Sequence, residues 1–411
     1  MPIPIVPEIL DLPNITGAMM EQTEGRCDIF IERPTVDLPC SGCGEIVKRT
    51  FRHSLRRLRD LSIFDKKAFL VFDEYRVDCP RCGYKVEQLP FAAPWSRMTM
   101  RFAEYVARLV RISTVKEVAD LLGLDWETVK EIDKAHLKKE FGEPDFEDLR
   151  ILSLDEISRK KRHKYFTVAM NYEKTKVIWV GKNREQETAE SFFIALGPER
   201  CKKIEAVCVD MWDPYIAAIR KYCPRAEIIY DKFHVVQAYG RVIDKVRNRE
   251  AERADAKDKN VFKGSKYLLL RNAENLRAKQ KRQLRELLDL NVNLNKTYVL
   301  KEHLKRLWDY TYPAVAKRHL DEWLDMARSS RIEPLVEFAK MLDAHREGIL
   351  AHCKYKINNG RIEGTNNKIK VVKRKAYGYH DDEYFILKIK QACCGKAPDT
   401  TDKLLSVTFP R

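Results

Sequence analysis

The chain has 411 residues, with 77 Lys and Arg against 61 Asp and Glu, a formal net charge of +16 and 44% hydrophobic residues. A chain this long exceeds one ordinary core and predicts roughly two to four domains. The apolar fraction excludes wholesale disorder. No stretch approaches the roughly 20 apolar residues of a membrane span, and no basic segment followed by an apolar run marks a secretory signal. A cytoplasmic protein with no membrane partner is expected. The basic surplus is clustered: residues 44–60 hold six basic and two acidic side chains, 241–282 fourteen and six, and 354–375 eight and one. Lys and Arg on a phosphate backbone release condensed counterions, so nucleic acid is the expected partner.

Two CxxC pairs, Cys40/Cys43 and Cys79/Cys82, are each followed by glycine. Each turn aims two thiolates at one point, and two such turns make a closed tetrahedral site for a structural Zn2+. The 35 intervening residues exceed a usual ribbon spacing and predict an inserted hairpin, its second strand entering the second knuckle. Two disulfides are the alternative, disfavoured in a reducing compartment. Cys27 is a spare thiol, and residues 1–95 are read as the zinc-ribbon module.

Helical periodicity begins after Pro94. Residues 99–112 place Phe102, Tyr105, Val106, Leu109 and Val110 on one face. Ser113 or Thr114 then caps a second helix, Gly123 suits a positive-φ turn, and Asp125 caps a third helix over 126–139. This is a helix-turn-helix pattern over 96–145, with an ordinary helical hairpin as the alternative. Lys130, Lys134 and Lys138 are its candidate DNA contacts.

From residue 146 the pattern predicts an α/β domain. Strands are expected over 150–157, ending on acidic residues, and over 163–172, 176–180, 204–212 and 226–231, with helices over 185–196 and 214–222. Three hairpin-like strands followed by alternating helix and strand is an RNase H-like order. Helices over 235–253, 275–288, 299–310, 313–328 and 334–353 then predict an all-α insertion (235–352). It divides a first catalytic part, 146–234, from a second with the C-terminal tail, 353–411. Trp308 and Trp323 within it are read as core, with base stacking as the alternative.

Asp155 and Asp210 fall at strand ends that can lie side by side. Phosphodiester chemistry wants such a pair, since two divalent cations about 3.5–4 Å apart can clamp the attacking and leaving oxygens. Mg2+ or Mn2+ takes carboxylate oxygens. The third acid is Glu363, isolated among Arg361, Asn366, Asn367, Lys368, Lys370, Lys373, Arg374 and Lys375, all candidate DNA contacts.

Together the cysteine knuckles, the helix-turn-helix pattern, LSLDE, VCVDMWDPY, DKFHV and GRIEGTNNKIKVVKRKAYGY resemble the ISL3-family DDE transposases of bacterial insertion sequences. The resemblance spans nearly the whole chain. It implies that Asp155, Asp210 and Glu363 are the DDE triad, with Asp231 and His234 accessory in a D-x2-H signature. It also implies a bacterial, nucleoid-associated protein that binds double-stranded DNA (terminal inverted repeats and target), works as a homodimer, and performs Mg2+-dependent cleavage and strand transfer. A DNA-binding regulator on a non-catalytic scaffold, and a nuclease without strand transfer, remain as alternatives.

Overall fold

The computed structural model describes residues 2–160, 164–255, 259–355, 357 and 359–394. The chain divides into two compact units, the first ending at Gly142 and the second starting at Glu143.

The first unit opens with strands the sequence reading did not foresee: β1 (Ile3–Pro4), β2 (Gly17–Thr23) and β3 (Arg26–Glu32). The short β4 (Leu38–Pro39) and β5 (Ile46–Val47) pair around the first knuckle. The expected hairpin follows as β6 (Thr50–Ile63) and β7 (Lys66–Cys79), and β8 (Gly83–Val86) turns back along β7 after the second knuckle. One sheet of order β1-β2-β3-β7-β6 results, with β8 also on β7. Cys27 stands outside the four-cysteine cluster and lies in the core with Ile29, Leu58, Ala68 and Leu70.

Three helices complete this unit: α1 (Met100–Ile112), α2 (Val115–Leu122) and α3 (Trp126–Phe141). Of the two candidate caps, Thr114 serves. It accepts from the Glu117 N–H while Glu117 accepts from the Thr114 N–H, a capping box. Gly123 ends α2 at φ +62°, and the Asp125 side chain accepts from the Glu127 and Thr128 N–H groups to start α3. Phe102, Val106, Val110, Val118, Ala119, Leu122 and Val129 form the shared core.

The second unit is built on five strands: β9 (Ile151–Lys160), β10 (Lys164–Asn171), β11 (Lys176–Lys182), β12 (Ala206–Val209) and β13 (Glu227–Tyr230). Their order is β11-β10-β9-β12-β13. The first three are antiparallel, while β12 runs parallel to β9 and β13. Between them come α4 (Gln186–Leu196), α5 (Pro198–Cys201) and α6 (Asp213–Tyr222). One correction concerns β9. It does not end at Asp155 but runs five residues further, because β10 pairs with it past the point where its pairing with β12 ends.

From Lys232 to Cys353 every described element is helical: α7 (Lys232–Arg253), α8 (Lys259–Phe262), α9 (Lys266–Leu270), α10 (Ala278–Leu290), α11 (Val292–Lys305), α12 (Pro313–Ser329), α13 (Glu333–Ala344) and α14 (Arg346–Leu350), with short 3-10 turns. Two expectations are corrected. Asn291 caps α11 by accepting from the Leu294 N–H at 2.8 Å, so the helix starts well before residue 299. The helix expected over 334–353 breaks at His345, whose backbone leaves helical geometry. Trp323 is core: fully buried, with Nε1–H donating to Leu300 O at 2.8 Å. Gly348 brings α14 onto β13, since a Cβ there would stand 2.9 Å from Ile228 O.

The chain then returns to the sheet as α15 (Asn359–Lys375) and α16 (Asp382–Ala392). Alternation along the strands divides the packing. Leu152, Leu154, Val207 and Val209 join α4, α6 and the helical region in one core. Ile157, Phe166 and Val168 face Ile369, Phe385 and Ile389 of α15 and α16.

Candidate functional site

One row of the sheet reads Ser153, Cys208 and Ile229 across β9, β12 and β13. Asp155, Asp210 and Asp231 each stand two residues beyond that row, and side chains two apart on a strand share a face. The ladder reaches this level, because the Asp231 N–H donates to Val209 O at 3.3 Å. Three acids thus line up at the end of β12, on the face that carries Cys208 toward Ile362 of α15.

His234 sits one turn into α7, its Nδ1 3.3 Å from Asp210 Oδ2 and its Nε2 4.0 Å from Asp231 Oδ2. Asp231 also caps α7 by accepting from the Phe233 N–H at 2.7 Å. Asp155 is held at both oxygens: Oδ1 accepts from the Glu156 N–H at 2.7 Å and Oδ2 from the Asn366 amide at 2.6 Å. Burial pushes the Asp155 carboxyl above the usual carboxylate range. The Asn366 and Glu156 hydrogen bonds and His234 oppose that push, while the Asp231 charge adds to it. Neighbouring Glu156 points to the other face and pairs with Arg184 at 3.1 Å.

Glu363 is exposed on α15, three residues before Asn366. That places it about 4.5 Å along the helix axis from the residue that touches Asp155. Among the described residues, Asp155, Asp210 and Glu363 do not form a group whose ligand atoms all lie within 4.8 Å; Cys40, Cys43, Cys79 and Cys82 do. All four cysteines of that cluster are free thiols, against the disulfide alternative, and the Cys43 and Cys79 sulfurs are 3.6 Å apart. Gly44 and Gly83 turn the knuckles at φ +75° and +68°. Four thiols converging from two glycine-closed turns suit Zn2+.

A family model described as a transposase, the DDE model of ISL3, matches residues 152–389. The helix-turn-helix domain of transposase family ISL3 matches 87–137, and the zinc-finger of the IS204/IS1001/IS1096/IS1165 transposases matches 38–82. The chain belongs to the ISL3 family of transposases. It is 40% identical to the transposase for insertion sequence element IS1001 of Bordetella parapertussis, over 90% of this chain and 92% of that one. It is 29% identical to the transposase for IS1557 of Mycobacterium tuberculosis, over 87% and 86%. Zinc ribbon, helix-turn-helix and DDE domain follow one another in this ISL3 transposase, and they support DNA as its partner. No helix among the described residues is long and apolar enough to cross a membrane.

The candidate DNA contacts of this ISL3 transposase divide when placed on the structure. Lys138 is exposed on α3, but Lys130 and Lys134 are half-buried, each one position after a member of the buried stripe of Val129, Asp133 and Leu137 and on the same flank of it. Asn367, Lys368, Lys370, Arg374 and Lys375 are exposed on α15. Arg361 instead ties α15 to the β10–β11 turn, donating to Tyr172 O and Glu173 O at 3.4 Å each. Lys373 donates to Ser158 O at 2.9 Å, and burial lowers its pKa. Asn366 was expected on DNA and is found on Asp155. The signal that could have revealed Asp231 as a third aligned acid was in the sequence: its strand, like the one before it, runs into an aspartate.

Proposed function

We propose that this transposase is a DDE enzyme that binds the terminal inverted repeats of its insertion sequence as a homodimer and catalyses metal-dependent DNA cleavage and strand transfer. Asp155, Asp210 and Glu363 form its triad, with Asp231 and His234 accessory. The observation that carries this reading is the common level of Asp155 and Asp210 on adjacent parallel strands, with the helix bearing Glu363 hydrogen-bonded to Asp155 through Asn366. A sheet of three antiparallel strands continued by two parallel ones supports an RNase H-like domain. The helical run between Asp231 and α15 supports an all-α insertion separating the second and third acids.

The donor set suits Mg2+ or Mn2+. Carboxylate oxygens are hard ligands, and among the described residues no Lys or Arg pairs with Asp155 or Asp210, so their charge invites a cation. Held by Asp155, Asp210 and Glu363, two such cations would make a water or a 3′-hydroxyl nucleophilic and neutralise charge on the transferring phosphoryl group. The protein supplies the orientation. Asp155 is locked at both oxygens, and His234 holds Asp210 from the side of Asp231. Exposed Lys368, Lys370 and Arg374 bring the DNA backbone to the helix that carries Glu363. The 3′-hydroxyl freed at the element end then attacks target DNA in the same pocket, with no protein–DNA covalent bond.

The test incubates the protein with Mg2+, a labelled element end and a plasmid. Asp155→Asn, Asp210→Asn and Glu363→Gln should each abolish cleavage and leave end binding intact. A variant that cuts at the wild-type rate removes its residue from the triad. Wild-type protein that binds ends without nicking them is a regulator, and one that cuts without joining is a nuclease.

A further inference from the structure

The basic segment 241–282 divides in two when its partners are traced. In the first part Arg247, Arg249, Arg253 and Lys266 pair with Asp244, Glu333, Glu250 and Asp244, while Arg241, Lys245, Lys259 and Lys263 are exposed without an acid partner among the described residues. In the second part, which continues into α10, Arg271, Arg277, Lys279, Lys281, Arg282 and Arg285 are all exposed, and none pairs with an acid among the described residues. Elsewhere in the same region Arg328 of α12 pairs with Asp343 of α13, and Arg346 of α14 pairs with Asp321 of α12. These six bases outnumber the nearby acids Glu274, Glu286 and Asp289 and form no ion pair with them, so a bound polyanion would relieve their mutual repulsion.

The same surface carries a groove of about 390 Å³ whose walls include Glu274, Leu276, Lys281, Leu284, Arg285 and Tyr298. Glu274 is already neutralised by Lys305 at 2.9 Å. Tyr298 is more than nine-tenths buried, and its hydroxyl has no hydrogen-bond partner. Burial pushes that phenol up to about 12, so it stays a neutral O–H donor. A buried donor without an acceptor is costly, unless a ligand supplies the acceptor.

We propose that this groove and its cationic rim bind the phosphate backbone of duplex DNA, with Lys281 and Arg285 on phosphate and the Tyr298 hydroxyl as a neutral donor at the groove wall. The inference rests on the transposase reading for its choice of polyanion, and it gives the helical region a DNA contact of its own, separate from the acids and from α15.

The test uses the full chain, with binding of an element-end duplex and an unrelated duplex followed by fluorescence anisotropy across a salt series. For a Lys281→Gln/Arg285→Gln variant, affinity for both duplexes should fall about tenfold. The slope of log affinity against log salt should shrink by about 1.8, since each lost phosphate contact removes about 0.9. Tyr298→Phe should weaken binding roughly threefold, the worth of one neutral hydrogen bond, with the slope unchanged. Melting curves establish that each variant is folded. An unchanged slope in the double variant overturns the inference while leaving the catalytic reading intact. So does a change that tracks protein concentration, which would mark an acidic surface of a second copy as the occupant. Wild-type protein that binds neither duplex overturns both.

Discussion

The Asn366 side-chain amide donates to Asp155 Oδ2 at 2.6 Å, joining residues 211 positions apart. This bond fixes α15 against β9 at the level of the acidic row, so the helix that carries Glu363 is registered to the sheet by a neighbour of Glu363. Asn366→Ala should therefore retain end binding and lower the cleavage rate by about 10- to 100-fold, the worth of a hydrogen bond to a charged group. Asn366→Asp sets a second carboxylate against Asp155 and should lose more. Single-turnover cleavage measured beside gel-shift affinity separates the two steps; a loss of binding equal to the loss of rate would refute the positioning role.

Asp155 costs the fold stability in order to be available. Burial raises its carboxyl pKa in the folded chain above the unfolded value, so the native state holds the proton more tightly. The cost is present above the folded pKa and fades as pH falls through it. Asp155→Asn should accordingly melt higher than the wild type at neutral pH, with the difference closing in acid. Paired thermal scans across pH check this, and equal midpoints at neutral pH would contradict it.

Zinc removal should act on the first unit. The four cysteines close the end of β7, and Cys40 and Cys79 share a small core with Leu38, Val47 and Val77. A chelator should disorder the knuckles, exposing that core, while the second unit keeps its own transition in calorimetry. End binding should weaken in step. A single transition that moves as a whole under chelator would be the contrary result.

The turn between α2 and α3 offers a local test. Thr114→Ala removes one half of the capping box and should cost about 1 kcal/mol. Gly123→Ala puts a side chain at φ +62° and should cost about 1–2 kcal/mol, part of it from displacing the Lys67 ammonium, which the new Cβ would crowd. Denaturant titration with DNA affinity measured alongside would register both; a neutral Gly123→Ala would mean the turn has a second conformation available.

The sequence by itself determined what short windows encode. Cysteine pairs followed by glycine, Thr114 with Glu117, Gly123 and Asp125 are local chemistry, and each forms as the spacing required. Apolar strand patterns likewise identified the five strands of the second unit, with Asp155 and Asp210 near the ends of two that could lie side by side. Tertiary structure alone decided what depends on register and on facing surfaces. β3 adds parallel to β7, a pairing no periodicity announces. Asp231 stands level with Asp155 and Asp210 because β13 pairs with β12 in one register. Asn366, chemically suited to DNA, finds Asp155, while Arg361 finds the turn after β10. A side chain's type states which partners it can take; which one it meets follows from contacts closed over hundreds of residues, and those are set when the sheet and its covering helices pack together.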